Sequence, residues 1–319
     1  MWERIGLIVL ACGLGAGEVG AAGRQPLRVV ATVGMVADVV RQVGGDQVAV
    51  QTLIGAGVDP HLYKPTRSDV AALLSAEMVF YSGLLLEGRM GDVLHKIGAG
   101  GKPVVAVTEA IDPGYLLSYP GRTGHHDPHV WMDVAAWRQT VAVVEHALAK
   151  ARPEEADALA ARAERYRAEL EVLHAYVRAV VASIPEERRV LVTAHDAFAY
   201  FGRAYGIEVR GIQGISTESE AGLDDINRLI DTMVQRAVPA VFVETSVSEK
   251  NVRALVEGAA ARRHQLSIGG VLYSDAMGPA GTYEGTYLGM LDHNATTIAR
   301  ALGGQVPERG RLGLLKGAP

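Results

Sequence analysis

Apolar residues recur in steps of three and four at Ala156, Leu159, Ala163, Tyr166, Leu170, Leu173, Val177, Val180 and Ile184. With 3.6 residues per turn, this spacing places them all on one face of a single helix. Pro153 suits a first helical turn, where its missing N–H costs nothing, and Glu154 and Glu155 stand at the positive end of the helix dipole. Pro185 ends the segment. A helix of this length spans roughly 45 Å at 1.5 Å per residue. That is too long for one small domain, so the helix is expected to run along or between two.

The flanks carry a different pattern. Before the stripe, short β-branched runs at 27–32, 48–53, 78–81 and 104–107 read as strands, with a helical stretch at 33–43 and a Gly/Asp/Pro loop through Pro65. After it, strands are expected at 190–193, 208–211, 240–244 and 265–268, with helices near 222–237, 248–261 and 283–302. Strands alternating with helices argue for parallel sheets covered by helices. The expected class is therefore α/β, with two lobes of mostly parallel sheet joined by one long helix. The expected boundaries are a signal segment over 1–23, an N-terminal lobe over 24–152, the linking helix over 153–185 and a C-terminal lobe over 186–319. A free-standing coiled coil is the other reading of the stripe, and its α/β flanks argue against it.

Composition narrows the function classes. The chain has 319 residues, 49% hydrophobic and 21% charged, which is a globular rather than a disordered profile. A formal net charge of -5 excludes a general affinity for nucleic acid. Arg4, the apolar run from Ile5 to Ala11, and small residues ending at Ala21 and Ala22 read as a secretory signal. That run is far short of the ~20 apolar residues of a membrane span, and no later segment qualifies. The chain is expected to be exported, to a periplasm or to the outer face of the cytoplasmic membrane. Cys12 is the only cysteine, so neither an internal disulfide nor a cysteine-rich metal site is available. Its place after Val9-Leu10-Ala11 suggests a lipobox and an acylated cysteine. An incidental residue within an ordinary cleaved signal is the other reading.

Ten histidines occur. His95, His146, His174, His264 and His293 sit in helical or helix-end segments and read as surface or packing residues. His61, His129 and His195 differ, because each lies in a loop or past a strand beside turn-forming residues. Asp275 has a similar setting. In parallel α/β sheets, ligands gather at the carboxyl ends of strands. Three imidazoles and one carboxylate would complete a ligand set for a borderline divalent metal. Convergence of residues spread from 61 to 275 is a matter for the fold. Asp59, Asp127, Asp196 and Glu244 are candidates to hold the outer ring nitrogens, with a helix N-cap or turn role as the alternative for each Asp. His125 and His126 read either as a relay passing metal to the site or as a solvated pair.

Several motifs together carry a family resemblance: Asp59-Pro60-His61-Leu62-Tyr63, Asp127-Pro128-His129-Val130-Trp131, Thr193 to Phe201, Gly211 to Thr217 and Ser274-Asp275-Ala276-Met277-Gly278. The chain from about residue 27 resembles the TroA-like receptors for zinc and manganese, the metal-specific class of ABC-importer substrate-binding proteins. The resemblance implies two lobes joined by a rigid helix, with the metal held between them by His61 and His129 from the first lobe and His195 and Asp275 from the second. It also implies a monomer that delivers its cargo to an ABC permease. Manganese-dedicated relatives often carry glutamate where this chain has His195. Zinc-dedicated relatives often have a long His-rich loop, reduced here to Gly124-His125-His126. Three imidazoles lean to zinc, and a bidentate Asp275 would also admit manganese.

Two other functions compete with that reading. A zinc hydrolase needs an open metal position and a nearby base, for which Glu244 is the candidate. The chain holds no His-Glu-x-x-His motif, Gly-x-Ser-x-Gly elbow or Walker loop. A surface adhesin would need a large exposed apolar patch away from the cleft.

Overall fold

The computed structural model describes residues 25–316. The signal segment over 1–23 and Cys12 lie outside them. The chain runs β1 (Leu27–Ala31), α1 (Gly34–Gly44), β2 (Val48–Thr52), α2 (Arg67–Ser75), β3 (Met78–Tyr81), α3 (Gly91–Ala99), β4 (Val104–Ala106), α4 (Val134–Trp137), α5 (Thr140–Ala151) and α6 (Ala156–Ala182). It continues through β5 (Val190–His195), α7 (Ala199–Tyr205), β6 (Glu208–Gln213), α8 (Leu223–Gln235), β7 (Ala240–Glu244), α9 (Lys250–Ala261), β8 (Ser267–Leu272) and α10 (Tyr287–Ala301). The first sheet is parallel, in the order β2-β1-β3-β4. In the second lobe β5 pairs with β6 and β7 with β8, both in parallel, and β5 lies beside β7. Parallel strands need crossovers, and the helices between them supply these.

The long helix spans 27 residues, about 40 Å at 1.5 Å per residue. A single 3-10 turn over Pro153–Glu155 leads into it. Leu159, Ala163, Tyr166, Leu170, Leu173, Val177 and Val180 are buried on one face, as the spacing predicts. The first half docks on the first lobe, where the Tyr166 hydroxyl donates to Asp38 of α1 at 2.7 Å and Arg162 donates to the carbonyl of Val43 at 2.7 Å. The second half docks on the other lobe, where Tyr176 meets Thr296 of α10 at 2.9 Å. Each fully buried leucine on this face contributes about 1.5–3 kcal/mol relative to exposure. The helix is therefore fastened along its length to both lobes.

Strand faces explain how the second lobe aims its residues. Side chains alternate along a strand, so Val190, Val192 and Ala194 face a core private to that lobe, while Leu191 faces the core shared by both. His195 continues the phase of Leu191. In β7, Val241 and Val243 face the private core and Ala240 and Phe242 the shared one. Glu244 continues the phase of Phe242. His195 and Glu244 thus end adjacent strands on the same face.

Several boundaries differ from the sequence reading, and two of them lead to the site. The strand expected at 265–268 lies at Ser267–Leu272, through Gly269 and Gly270. These glycines, which follow the apolar run, admit α10 here. A Cβ at 269 would lie 2.7 Å from the Ala301 Cβ, and one at 270 would lie 2.4 Å from Thr297 Cγ2. The strand expected to stop at Thr193 continues to His195, which pairs with Gln213.

Candidate metal centre

The two Asp-Pro-His motifs fold alike. Asp59 Oδ1 accepts the backbone N–H of His61 at 2.8 Å, and Asp127 Oδ1 accepts that of His129 at 2.9 Å. In each, an aspartate closes a turn on the residue two positions ahead, and the proline between them limits the backbone. From the second lobe, His195 ends β5. Asp275 lies in the loop after β8, which Asn294 of α10 clamps by accepting from the Tyr273 N–H at 2.9 Å and donating to its carbonyl at 2.6 Å. Trp131, two residues past His129, donates its indole N–H to the Ser274 carbonyl at 2.9 Å, stitching the first lobe to that loop.

These loops bring His61, His129, His195 and Asp275 together, with one potential donor atom from each lying within 4.8 Å of the others. His129 and His195 are fully buried, Asp275 is 1% exposed and His61 is 8% exposed. The Nε2 atoms of His61 and His129 face each other at 3.2 Å. Asp275 Oδ1 is 3.3 Å from His129 Nε2, and Oδ2 is 3.2 Å from His195 Nε2 and 4.0 Å from His61 Nε2. A tetrahedral ion with bonds of about 2.0–2.1 Å needs donors about 3.3 Å apart, so these spacings suit one. Neither Asp275 oxygen nor His195 Nε2 has a hydrogen-bond partner. Three buried polar atoms that converge on one point with no hydrogen bond of good geometry are costly unless positive charge, from protons on the rings or from a bound cation, satisfies them.

The electrostatics point the same way. Burial pushes the His61 imidazole down to about 4. Burial also opposes charge on His129, but the adjoining Asp127 carboxylate and then Asp275 outweigh it and lift the ring to about 9. On His195, Asp275 and Glu244 likewise overcome burial and hold the ring well above its ordinary value. Burial would raise Asp275, yet the imidazoles around it keep it ionised well below the usual carboxylate range. The carboxylates around His129 and His195 thus favour positive charge at the point where the four side chains meet.

Of the four carboxylates considered as supports, two hold rings. Asp127 Oδ1 accepts His129 Nδ1 at 2.7 Å. Glu244 Oε2 accepts His195 Nδ1 at 2.5 Å, while its Oε1 accepts the His195 backbone N–H at 2.9 Å. Such bonds fix the ring plane and leave Nε2 pointing inward. Asp59 holds only the backbone of His61 and gives its other oxygen to Thr217 at 2.5 Å. Asp196 bonds to none of these rings. The remaining histidines stay outside the cluster. His264 and His293 bond the carbonyls of Val238 and Val271, and His174 meets Tyr205. His95 and His146 are exposed. His125 and His126 are half-buried and line a recess of about 250 Å³ that ends on His61. Sequence reasoning gave no role to Asn294, whose signal was a buried amide in an apolar helix.

Two α/β lobes with a buried His-His-His-Asp cage between them define a solute-binding protein of the metal-binding class. Residues 29–301 match the ZnuA family, described as the periplasmic component A of a zinc-uptake complex, and the chain belongs to it. The family consists of periplasmic solute-binding proteins rather than enzymes. The manganese-binding lipoprotein MntA of Bacillus subtilis is 49% identical over 91% of this chain and 94% of its own length. The zinc-binding protein TroA of Treponema pallidum is 47% identical over 94% of this chain and 98% of its own. The solved structure of that periplasmic zinc-binding TroA superposes with a TM-score of 0.84, at 48% identity, covering 87% of this chain and 99% of its own. Among the described residues no helix is long and apolar enough to cross a membrane.

Proposed function

We propose that the chain is the extracytoplasmic metal receptor of an ABC importer. It captures a divalent transition metal between the lobes over 24–152 and 186–319 and delivers it to a permease as a monomer. The ligands are His61, His129, His195 and Asp275. The observation that carries this reading is the group of buried, unpartnered donor atoms on Asp275 and His195 beside the two facing imidazoles. Zinc is the favoured cargo, because three imidazoles and one carboxylate complete a tetrahedral zinc sphere. Manganese stands second, since both Asp275 oxygens are free to bind and would supply a further oxygen donor.

The hydrolase reading loses its base. Both Glu244 oxygens are committed to the outer side of His195, away from the donor cluster. Nothing specific favours the adhesin reading: among the described residues the three most exposed large apolar side chains, Leu223, Leu85 and Leu74, stand on three separate segments.

The test is to titrate zinc and manganese separately into the chelator-stripped chain from residue 24, following heat and melting temperature. A tight one-to-one complex is expected for zinc. At a thousandfold excess over Kd, binding to the native state alone would add about 4 kcal/mol of stability. No saturable binding of either metal would sink the proposal. The name of the MntA relative as a lipoprotein favours Cys12 as an acylated anchor. Expressed at full length in a host that acylates lipoproteins, the chain should then partition with membranes, and Cys12→Ser should release it. Equal partitioning of both would leave an ordinary cleaved signal.

A further inference from the structure

One loop of the second lobe reaches across the mouth of the cage. It joins β6 to α8 over residues 214–222, and three consecutive residues in it touch three separate segments of the first lobe. The Ser216 N–H donates to the Tyr119 hydroxyl at 3.2 Å, the Thr217 hydroxyl donates to Asp59 Oδ2 at 2.5 Å, and Glu218 pairs with Arg89 at 3.8 Å. The loop's far end is tied to its own lobe, where Glu220 accepts from Asn251 at 3.2 Å. The Glu218–Arg89 pair is about half exposed on both sides and contributes little for that reason. Thr217 is only 9% exposed, and its bond ends on a carboxylate, a pairing stronger than one between neutral groups.

The position of the loop matters as much as its contacts. His61 is the least covered of the four cage residues, and the recess that ends on it is lined by Ser216, Glu218, Tyr119, His125 and His126. Two further contacts between the lobes are fully buried. Trp131 donates to the Ser274 carbonyl, and the Tyr287 hydroxyl donates to the Trp131 carbonyl at 2.7 Å. The recess that reaches His61 thus lies on the side the loop covers.

The duplicated motif supplies an internal comparison. In the second Asp-Pro-His, one oxygen of Asp127 serves both the backbone and the ring of His129. In the first, Asp59 serves the backbone of His61 and spends its other oxygen on Thr217 across the cleft. The ligand loop of His61 is thus held from the opposite lobe.

We infer that Thr217 is a positioning residue whose bond to Asp59 latches this loop over the cage and sets how fast the cargo leaves. The inference rests on the receptor reading above. Opening the latch frees the loop and loosens the turn that aims His61, so metal escapes at the one partly covered ligand.

The experiment loads the mature chain with zinc, mixes it with excess chromophoric chelator in a stopped-flow instrument, and follows release. Thr217→Val keeps the shape and removes the hydroxyl. It is expected to release zinc about 10- to 100-fold faster, as the loss of one hydrogen bond to a charged group allows. The metal-free melting temperature should fall by no more than the loss of one hydrogen bond allows, and Thr217→Ser should restore both it and the slow rate. Release from Thr217→Val at the unaltered rate overturns the latch while leaving the receptor reading intact. A lowered metal-free melting temperature with no rescue by serine overturns it in favour of simple packing. Failure of the unaltered chain to bind zinc removes the receptor reading and the latch with it.

Discussion

The zinc affinity of a His195→Ala chain is expected to fall by more than a hundredfold, with the metal-free fold intact. The substitution deletes one donor of four, and no other histidine stands in reserve, since the remaining ones lie outside the cluster. Asp275→Ala should be at least as severe, because it removes the only anionic donor and leaves three neutral rings facing a dication. Glu244→Gln should cost less, about 10- to 100-fold, because it acts only by orienting the His195 ring. His174→Ala should change little, as that ring meets Tyr205 instead. Competition titrations against a chelator of known affinity, with melting curves of the metal-free proteins, would rank the four. Loss of binding in His174→Ala with retention in His195→Ala would refute the ligand assignment.

Acid should expel the cargo steeply. A metal ligand must be deprotonated, and in the free protein His129 is lifted to about 9 and His195 stands well above its ordinary value. His129 below about 9, and His195 while its raised ring stays protonated, must each give up a proton when metal binds. Across neutral pH about two protons should leave per metal, and log K should fall by about two for each unit of acidification. His61, pushed down to about 4, already binds as the neutral ring and adds no slope until pH approaches that value. Asp275 is ionised throughout this range. Calorimetry in buffers of different ionisation enthalpy counts the protons directly. An affinity flat between pH 6 and 8 would contradict the charge assigned to these rings.

Most of this architecture was legible beforehand, for identifiable reasons. The α6 stripe was visible because a helix buried on one face imposes its period on the sequence. The strands at Met78–Tyr81 and Ala240–Glu244 were visible as continuous apolar runs, as expected of strands covered on both faces. β8 was misplaced because Gly269 and Gly270 serve a helix far away in sequence, which no local pattern records. The same limit applied at the site. The residues of the cage stood beside turn signals, and Asp127 stands in the same motif as the ring it holds, but Glu244 lies far from His195 in sequence. Glu244 finds His195 only because β7 lies beside β5, and Asp196, adjacent in sequence, supports no ring. Thr217 acquires a role only once the two lobes face each other.

The double fastening of α6 bears on how the receptor is read by others. A body welded along its spine keeps nearly the same outline whether full or empty. Exchanging about two protons for one dication also keeps its overall charge nearly the same. Neither silhouette nor long-range field then announces the cargo. Whatever receives this protein must judge it at close quarters, from the few atoms at the rim whose order depends on what lies beneath. Selectivity in the uptake step would then reside in a small, local inspection rather than in a global change of form.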